Sequence, residues 1–321
     1  MRYIIFTLLV AILPSFTAAS PESWVNEWPE TDFENTSIES WVEVMSGGPP
    51  KDGIPALDAP QFVPIADKRK LGEREPVITV VFDKEQARAY PLRYLMWHEI
   101  VNDNVGGAPI AVTFCPLCNS AMTFDRRVDD QILSFGVSGK LRNSDMIMYD
   151  RETQSWWQQA TGQGIVGDMN GQALRQLPTW IDSWSAFKAA YPDGIVMAEP
   201  PFSRAYGFNP YNKYDSSQRP FLYSGARPPH GIAPLARVIR VSDRAWPLTR
   251  LADEGEIIQA GITLSWTRGQ ASALDTELIS RGREIGSIRV RNSDGQDLPH
   301  DVMFAFAFDA FWPKGQWMLT K

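Results

Sequence analysis

The stretch Pro109-Ile110-Ala111-Val112-Thr113-Phe114-Cys115-Pro116-Leu117-Cys118-Asn119-Ser120 contains both cysteines of the chain. A strand-like run leads into Cys115, and Ala121-Met122-Thr123-Phe124-Asp125 leads away in the same alternating pattern. We therefore expect a β-hairpin that carries two thiols where its strands meet. No helix pattern follows Cys118, so the stretch differs from the thioredoxin arrangement, in which a helix N-terminus lowers the pKa of the thiol.

The composition is that of a folded globular protein without a strongly charged surface. The chain has 321 residues, 44% of them hydrophobic, and its 12 Trp provide ample material for a core. The formal charge is −7 and no block of like charge occurs, so neither nucleic acid nor an anionic membrane surface is expected as a partner. A small molecule or a metal ion fits this composition better.

Residues 1–19 have the pattern of a secretory signal peptide. Arg2 supplies the positive start, Tyr3 to Phe16 the apolar stretch, and Thr17-Ala18-Ala19 a small-residue cleavage site. The apolar stretch is shorter than the roughly 20 residues that a membrane-spanning helix needs. We therefore expect a periplasmic or secreted protein with no membrane span after signal removal.

The remainder predicts an α+β, strand-rich fold made of two degenerate copies of one β-rich unit with a few packed helices. Landmarks of the first half return in the same order in the second. Arg88-Ala89-Tyr90-Pro91-Leu92 returns as Arg244-Ala245-Trp246-Pro247-Leu248, and Ile110-Ala111-Val112-Thr113-Phe114 returns as Ile262-Thr263-Leu264-Ser265-Trp266. The predicted divisions are an N-terminal arm with a Gly/Pro-rich loop (20–60), a first repeat (61–200), a Pro/Tyr-rich connector (201–235) and a second repeat (236–321).

The second copy helps to separate functional residues from the scaffold. It has Thr267-Arg268-Gly269-Gln270 where the first copy has its cysteines, and it lacks a counterpart of the segment from Ser138 to Gly164. That segment contains Asp150 and Arg151. If the unit folds without the thiols and this segment, a functional site explains their presence in the first copy.

Two thiols at this spacing can form a disulfide, hold a soft metal or act as nucleophile and resolving thiol. No second cysteine pair completes a four-ligand zinc site, but copper or zinc bound by Cys115, Cys118 and His98 is possible. His98 lies on a predicted helix 17 residues before Cys115, a spacing that allows the helix to pack beside the strand end. Candidate catalytic residues are Cys115, His98, Asp150 and Arg151.

Several strings along the chain together resemble the bacterial and archaeal proteins of the domain of unknown function 3179. They cover the chain from about residue 45 onwards: Gly47-Gly48-Pro49-Pro50-Lys51-Asp52-Gly53-Ile54-Pro55-Ala56-Leu57, Arg88-Ala89-Tyr90-Pro91-Leu92, Trp97-His98-Glu99-Ile100-Val101-Asn102-Asp103, Thr113-Phe114-Cys115-Pro116-Leu117-Cys118, and Met148-Tyr149-Asp150-Arg151 with Ser155-Trp156. The resemblance groups these motifs but implies no activity. Relatives with Thr-Gly in place of Cys118-Asn119 would make Cys115 the essential thiol.

Three hypotheses follow, and they leave open whether the protein is an enzyme. In the first, a thiol-centred site of Cys115, Cys118 and His98 binds a soft metal or performs thiol chemistry on a small molecule. In the second, the protein is a non-enzymatic envelope binding module with a structural Cys115–Cys118 disulfide. In the third, His98, Asp150 and Arg151 form a polar catalytic cluster that the cysteines only support.

Overall fold

The computed structural model describes residues 21–68, 70–82 and 85–320. The predicted signal peptide lies outside the described residues. No helix in these ranges is long and apolar enough to cross a membrane.

The described chain is dominated by short strands. These are β1 (Val44–Ser46), β2 (Leu57–Asp58), β3 (Phe62–Pro64), β4 (Pro76–Val80), β5 (Arg88–Pro91), β6 (Ile100–Val105), β7 (Ala108–Cys115), β8 (Ser120–Asp125), β9 (Arg127–Val128), β10 (Gln131–Ile132), β11 (Phe135–Arg142), β12 (Asp145–Asp150), β13 (Trp156–Gln158), β14 (Gln163–Val166), β15 (Gln176–Leu177), β16 (Trp180–Ser183), β17 (Ile195–Met197), β18 (Arg237–Val241), β19 (Arg244–Pro247), β20 (Glu256–Gln259), β21 (Ile262–Thr267), β22 (Ser287–Asn292), β23 (Asp301–Phe304) and β24 (Gln316–Trp317). The α-helices are α1 (Leu92–His98), α2 (Trp184–Ala190), α3 (Leu248–Glu254) and α4 (Ala305–Phe311).

The larger sheets are arranged as a five-bladed β-propeller, an architecture in which radially placed sheets leave only short edges. Two blades carry the candidate site. The cysteine blade has the strand order β15-β8-β7-β6-β2, and the aspartate blade has the order β1-β11-β12-β13-β14. The others are β16-β4-β5-β17-β3, β23-β18-β19-β24 and β20-β21-β22, and β9 and β10 form a separate hairpin.

The hairpin predicted around the cysteines is present as β7 and β8. The two strands are antiparallel, from Ile110 opposite Asp125 to Cys115 opposite Ser120. Every residue of β8, and all of β7 except its first, is buried, because the cysteine blade is covered on both faces. Both thiols belong to the main hydrophobic core of the protein.

The N-terminal arm is held on the aspartate blade by aromatic packing. Trp28 packs edge-on against Tyr149 and Trp156, with ring centroids 4.9 and 5.4 Å apart. Trp24 packs against the same Trp156 ring at 5.5 Å. Edge-to-face aromatic pairs add stabilisation beyond the apolar area that they bury. The arm is therefore packed against the aspartate blade.

The prediction of a strand-rich chain with a few helices is confirmed. The five-bladed arrangement does not evidently divide into two repeated units, and blades of five, five, five, four and three strands are unequal in size. Two blades do share a pattern of pairing. The strand orders β16-β4-β5-β17 and β23-β18-β19-β24 each end in a parallel pair, β17 with β5 and β24 with β19. The predicted domain boundaries stay predictions.

Candidate metal centre

The turn between β7 and β8 places both sulfurs in the interior. Cys115 is the last residue of β7, and Cys118 lies in the four-residue turn that Asn119 closes with φ +52°. The Asn119 N–H donates to the carbonyl of Pro116 at 3.2 Å. Asparagine tolerates this left-handed conformation better than most residues. Cys115 and Cys118 are 1% and 0% exposed, and neither is in a disulfide.

A second hairpin brings the aspartate blade to the same place. Strands β11 and β12 are joined by Asn143 and Ser144, both of which have positive φ, as in a two-residue type I′ turn. The Ser144 carbonyl lies 3.6 Å from the sulfur of Cys118 and 4.0 Å from that of Cys115. Both thiols therefore face one backbone oxygen, and the next residue in the chain is Asp145.

Asp145 completes a compact group of three potential ligands. The sulfurs of Cys115 and Cys118 and a carboxylate oxygen of Asp145 all lie within 4.8 Å of one another, and all three residues are buried. We call these three residues the thiol–carboxylate group. Asp145 Oδ2 accepts hydrogen bonds from Gln158 Nε2 at 2.6 Å and from the Ala160 N–H at 2.8 Å.

The second carboxylate oxygen of Asp145 lacks such partners. Oδ1 is fully buried and has no hydrogen bond of regular geometry within the described structure. Buried polar atoms without a partner are rare in native proteins, and an ion at the site is one of the few explanations for them. The orphan oxygen belongs to the carboxylate that lies beside both thiols.

Burial shifts the proton equilibria of the whole group toward the neutral forms. It raises the pKa of Asp145 to about 6, an effect that the hydrogen bonds from Ala160 and Gln158 only partly oppose. Burial also raises the pKa of Cys115, and raises that of Cys118 well above its usual value. Without a compensating cation the thiols are therefore held protonated.

The donor set fits a metal ion of borderline softness. Thiolate sulfur and carboxylate oxygen are both common zinc ligands. Catalytic zinc sites have three protein ligands and leave the fourth position to water or substrate. A tetrahedral zinc ion with bonds of about 2.0–2.3 Å separates its ligand atoms by roughly 3.3–3.8 Å, so donors within 4.8 Å of one another need only small movements to bind it. The thiol–carboxylate group could thus hold a metal.

His98 has other partners. It is fully buried at the end of α1, where its Nδ1 lies 2.8 Å from the Pro55 carbonyl and its Nε2 lies 2.6 Å from the Tyr206 hydroxyl. Burial lowers the pKa of its imidazole, although the Pro55 hydrogen bond opposes this shift. The neutral His98 ring, with both nitrogens hydrogen-bonded, therefore links the Gly/Pro-rich loop at Pro55 to the connector at Tyr206. Its predicted role as a ligand stays a prediction, and these contacts do not favour it.

Asp150 and Arg151 lie on the far end of β12 and in the turn after it. Asp150 is buried, and its oxygens accept hydrogen bonds from the Trp157 indole N–H at 2.8 Å and the Thr153 N–H at 2.6 Å. Arg151 forms an ion pair of 2.7 Å with Asp58 at the surface. These contacts give both residues a structural role, and the three-residue metal group does not include them. Their predicted catalytic role stays a prediction.

Asp145 is the residue that sequence reasoning missed. Like Asp150, it lies inside the segment from Ser138 to Gly164, which has no counterpart in the second half of the chain. The absence of that counterpart therefore marked Asp145 as a candidate site residue as much as it marked Asp150. Its contact with the cysteines depends on the packing of two blades, so the spacing of residues along the chain does not predict it.

The chain is therefore a strand-rich propeller protein with a buried thiol–carboxylate group between two blades. It belongs to the family described as "Protein of unknown function (DUF3179)", which matches residues 51–315. The resemblance drawn from the sequence motifs is confirmed. Neither a curated protein nor a solved structure matches the chain.

Proposed function

We propose that this protein is an exported zinc-binding protein, with Cys115, Cys118 and Asp145 as its protein ligands. The observation that carries the proposal is the orphan Oδ1 of Asp145, which belongs to a buried carboxylate beside two free thiols. A divalent cation would give this oxygen a partner. It would also balance the negative charge of the two thiolates, whose formation burial otherwise opposes.

The carboxylate favours zinc over copper(I). Copper(I) selects thiolate and thioether ligands, and a carboxylate oxygen is too hard a donor to prefer it. Zinc accepts sulfur and carboxylate oxygen together, in a site that keeps one position for water or a substrate. A protein that used the pair for thiol chemistry alone would need an exposed thiolate with a lowered pKa, whereas both thiols here are buried with raised pKa values.

Export, expected from residues 1–19, sharpens the proposal. Oxidising compartments close cysteine pairs into disulfides unless the thiols are occupied. Two free thiols at this spacing in such a compartment are best explained by a bound metal. The alternative hypothesis, an envelope binding module with a Cys115–Cys118 disulfide, is not supported by the free thiols of the structure.

The test is metal analysis of protein purified from the exported fraction, combined with thiol titration after denaturation. We expect one zinc per chain and two titratable thiols, with zinc lost from Cys115→Ser and Cys118→Ser. Two thiols without any metal, or bound copper in place of zinc, would contradict the zinc assignment. No titratable thiol would return the protein to the disulfide hypothesis.

We also propose that the two halves descend from one duplicated unit, with the aspartate blade added to it. The shared strand orders β16-β4-β5-β17 and β23-β18-β19-β24 support this history, as does the position of α1 after β5 and of α3 after β19. In this history the thiols and Asp145 are additions to an older frame. Removing all three side chains should then leave a folded protein, which circular dichroism and thermal unfolding can check.

A further inference from the structure

A cavity of about 460 Å³ lies beside the thiol–carboxylate group. Its walls include Leu117 from the cysteine turn, Met146 next to Asp145, and four further residues, Glu99, Tyr211, Tyr214 and Phe221. Three of these six come from the connector, whose Tyr214 hydroxyl donates to the Leu117 carbonyl at 3.0 Å. Sites for small organic molecules enclose about 300–1,000 Å³, are mostly apolar and present a few polar groups. The cavity has that character.

Glu99 is an acidic group of the lining that the rest of the described fold leaves without a partner. It is only 8% exposed, and no hydrogen bond or ion pair of its carboxyl occurs among the residues that the structure describes. Its backbone is fully engaged, since its N–H donates to Leu95 and its carbonyl accepts from Phe114, both at 2.8 Å. A buried carboxyl without a partner costs stability, so its presence on a cavity wall indicates a role there.

The charges around the cavity favour an uncharged ligand. The Lys140 ammonium is paired with Glu27 at 2.6 Å, and Lys213, the other lysine of the lining, is exposed. Burial, with a smaller contribution from the nearby carboxylate of Asp145, raises the pKa of Glu99 to about 8. An anion would thus meet no buried, unpaired cation in this lining and would lie close to two acidic side chains.

We propose that this cavity binds a small, uncharged and largely apolar organic molecule, whose single hydrogen-bonding group meets the carboxyl of Glu99. The inference deepens the proposed function, because the molecule would lie next to the zinc ligands. It does not require the metal to be bound, since the cavity and Glu99 are formed by residues other than the three ligands.

The test uses 6-propionyl-2-(dimethylamino)naphthalene, a neutral ketone whose fluorescence reports both apolar surroundings and hydrogen bonding to its carbonyl. Titrations are performed on chelator-treated protein and on zinc-loaded protein. We expect saturable binding of one probe per chain in both forms. The anionic analogue 6-(dimethylamino)-2-naphthoate should bind at least tenfold more weakly. Equal binding of the two probes, or no saturable binding of the ketone, would overturn the proposal.

Variants locate the probe. Leu141→Trp fills the cavity from β11 and should abolish binding, whereas Ile132→Trp adds the same side chain at an exposed position outside the lining and should not. If thermal unfolding shows that Leu141→Trp does not fold, the same test is made with Ser217→Trp, at an exposed position of the cavity lining. Unchanged binding to the folded Trp variants of the cavity would place the probe elsewhere and refute the proposal.

Glu99 itself is tested by two replacements. Glu99→Leu removes the hydrogen-bonding group and should weaken the ketone about tenfold and shift its emission to shorter wavelength. Glu99→Gln retains a donor at the same position and should restore affinity and emission. A Leu variant that binds and emits like the wild type would refute the role of Glu99. Because these titrations include metal-free protein, their failure alongside intact zinc binding would reject the cavity proposal while leaving the zinc proposal standing.

Discussion

Replacing Asp145 by Asn separates a metal ligand from a structural carboxylate, because the same strand offers a matched control in Asp150. Both residues are fully buried on β12. Asp145 receives its two hydrogen bonds on one oxygen and leaves the other without a partner. Asp150 receives N–H donors on both oxygens. At Asp145 an amide can keep its oxygen toward both donors and place its NH2 group at the unpartnered position. At Asp150 the NH2 group of an amide must face an N–H donor.

The magnitudes follow from this difference. Structural zinc binds with about 10–16 kcal/mol shared among four ligands, so the loss of one ligand costs about 3–4 kcal/mol, or ~100- to 1,000-fold in affinity. The folded-state pKa of Asp145 is raised to about 6 from its usual 3.8. Its ionisation therefore opposes folding increasingly as pH rises from about 4 to 6, and the neutral Asn should stabilise metal-free protein at pH 7.5 by about 1–3 kcal/mol.

Asp150→Asn should behave in the opposite way. Its new amide group must point at the donors of either Trp157 or Thr153, which costs about 1–3 kcal/mol in unfolding free energy. Zinc affinity should stay within a few fold of the wild type. The assays are competition with a chromophoric zinc chelator and urea unfolding of metal-free protein. If Asp145→Asn binds zinc as tightly as the wild type, or if both variants lose affinity equally, Asp145 is not a ligand.

Three further predictions concern buried ionisable residues outside the thiol–carboxylate group. His98→Gln should lower the unfolding free energy by about 1–3 kcal/mol through the lost contacts with Pro55 and Tyr206, yet leave zinc affinity unchanged; a 100-fold loss would restore the histidine as a ligand. Asp215→Ala should cost about 3–5 kcal/mol in urea unfolding, because it leaves the buried Arg237 guanidinium unpaired, and a cost near zero would show that water replaces the carboxylate. Burial lowers the pKa of His300 to about 4, so between about pH 6.5 and 4 the unfolded chain binds a proton that the folded protein does not. Lowering the pH from 7 to 5 should therefore reduce the unfolding free energy of wild-type protein by about 2 kcal/mol more than that of His300→Asn. Parallel pH profiles of the two proteins would contradict this.

The local pattern of the chain was sufficient to predict the cysteine hairpin. Alternation of side chains along a strand is a property of neighbouring residues, so β7 and β8 could be recognised without knowledge of their surroundings. The unequal blades could not be anticipated in the same way. Strands of two to four residues, such as β1, β13 and β15, are too short for their alternation to stand out.

The candidate site required the tertiary structure. Asp145 lies 30 residues beyond Cys115 in the chain, and the type I′ turn at Asn143 and Ser144 brings it to the thiols only because the aspartate blade packs beside the cysteine blade. The 17-residue spacing of His98 from Cys115 allowed a contact, whereas the folded ring bonds to Pro55 and Tyr206.

The sequence by itself determined the family, the strand-rich character and the place of the thiols, because these depend on residue types and on periodicity over a few neighbours. The tertiary structure alone decided which carboxylate joins the thiols and which residues line the adjacent cavity. Such contacts join residues far apart in the chain, and alternation along a strand records which face is buried but not which blade lies against it.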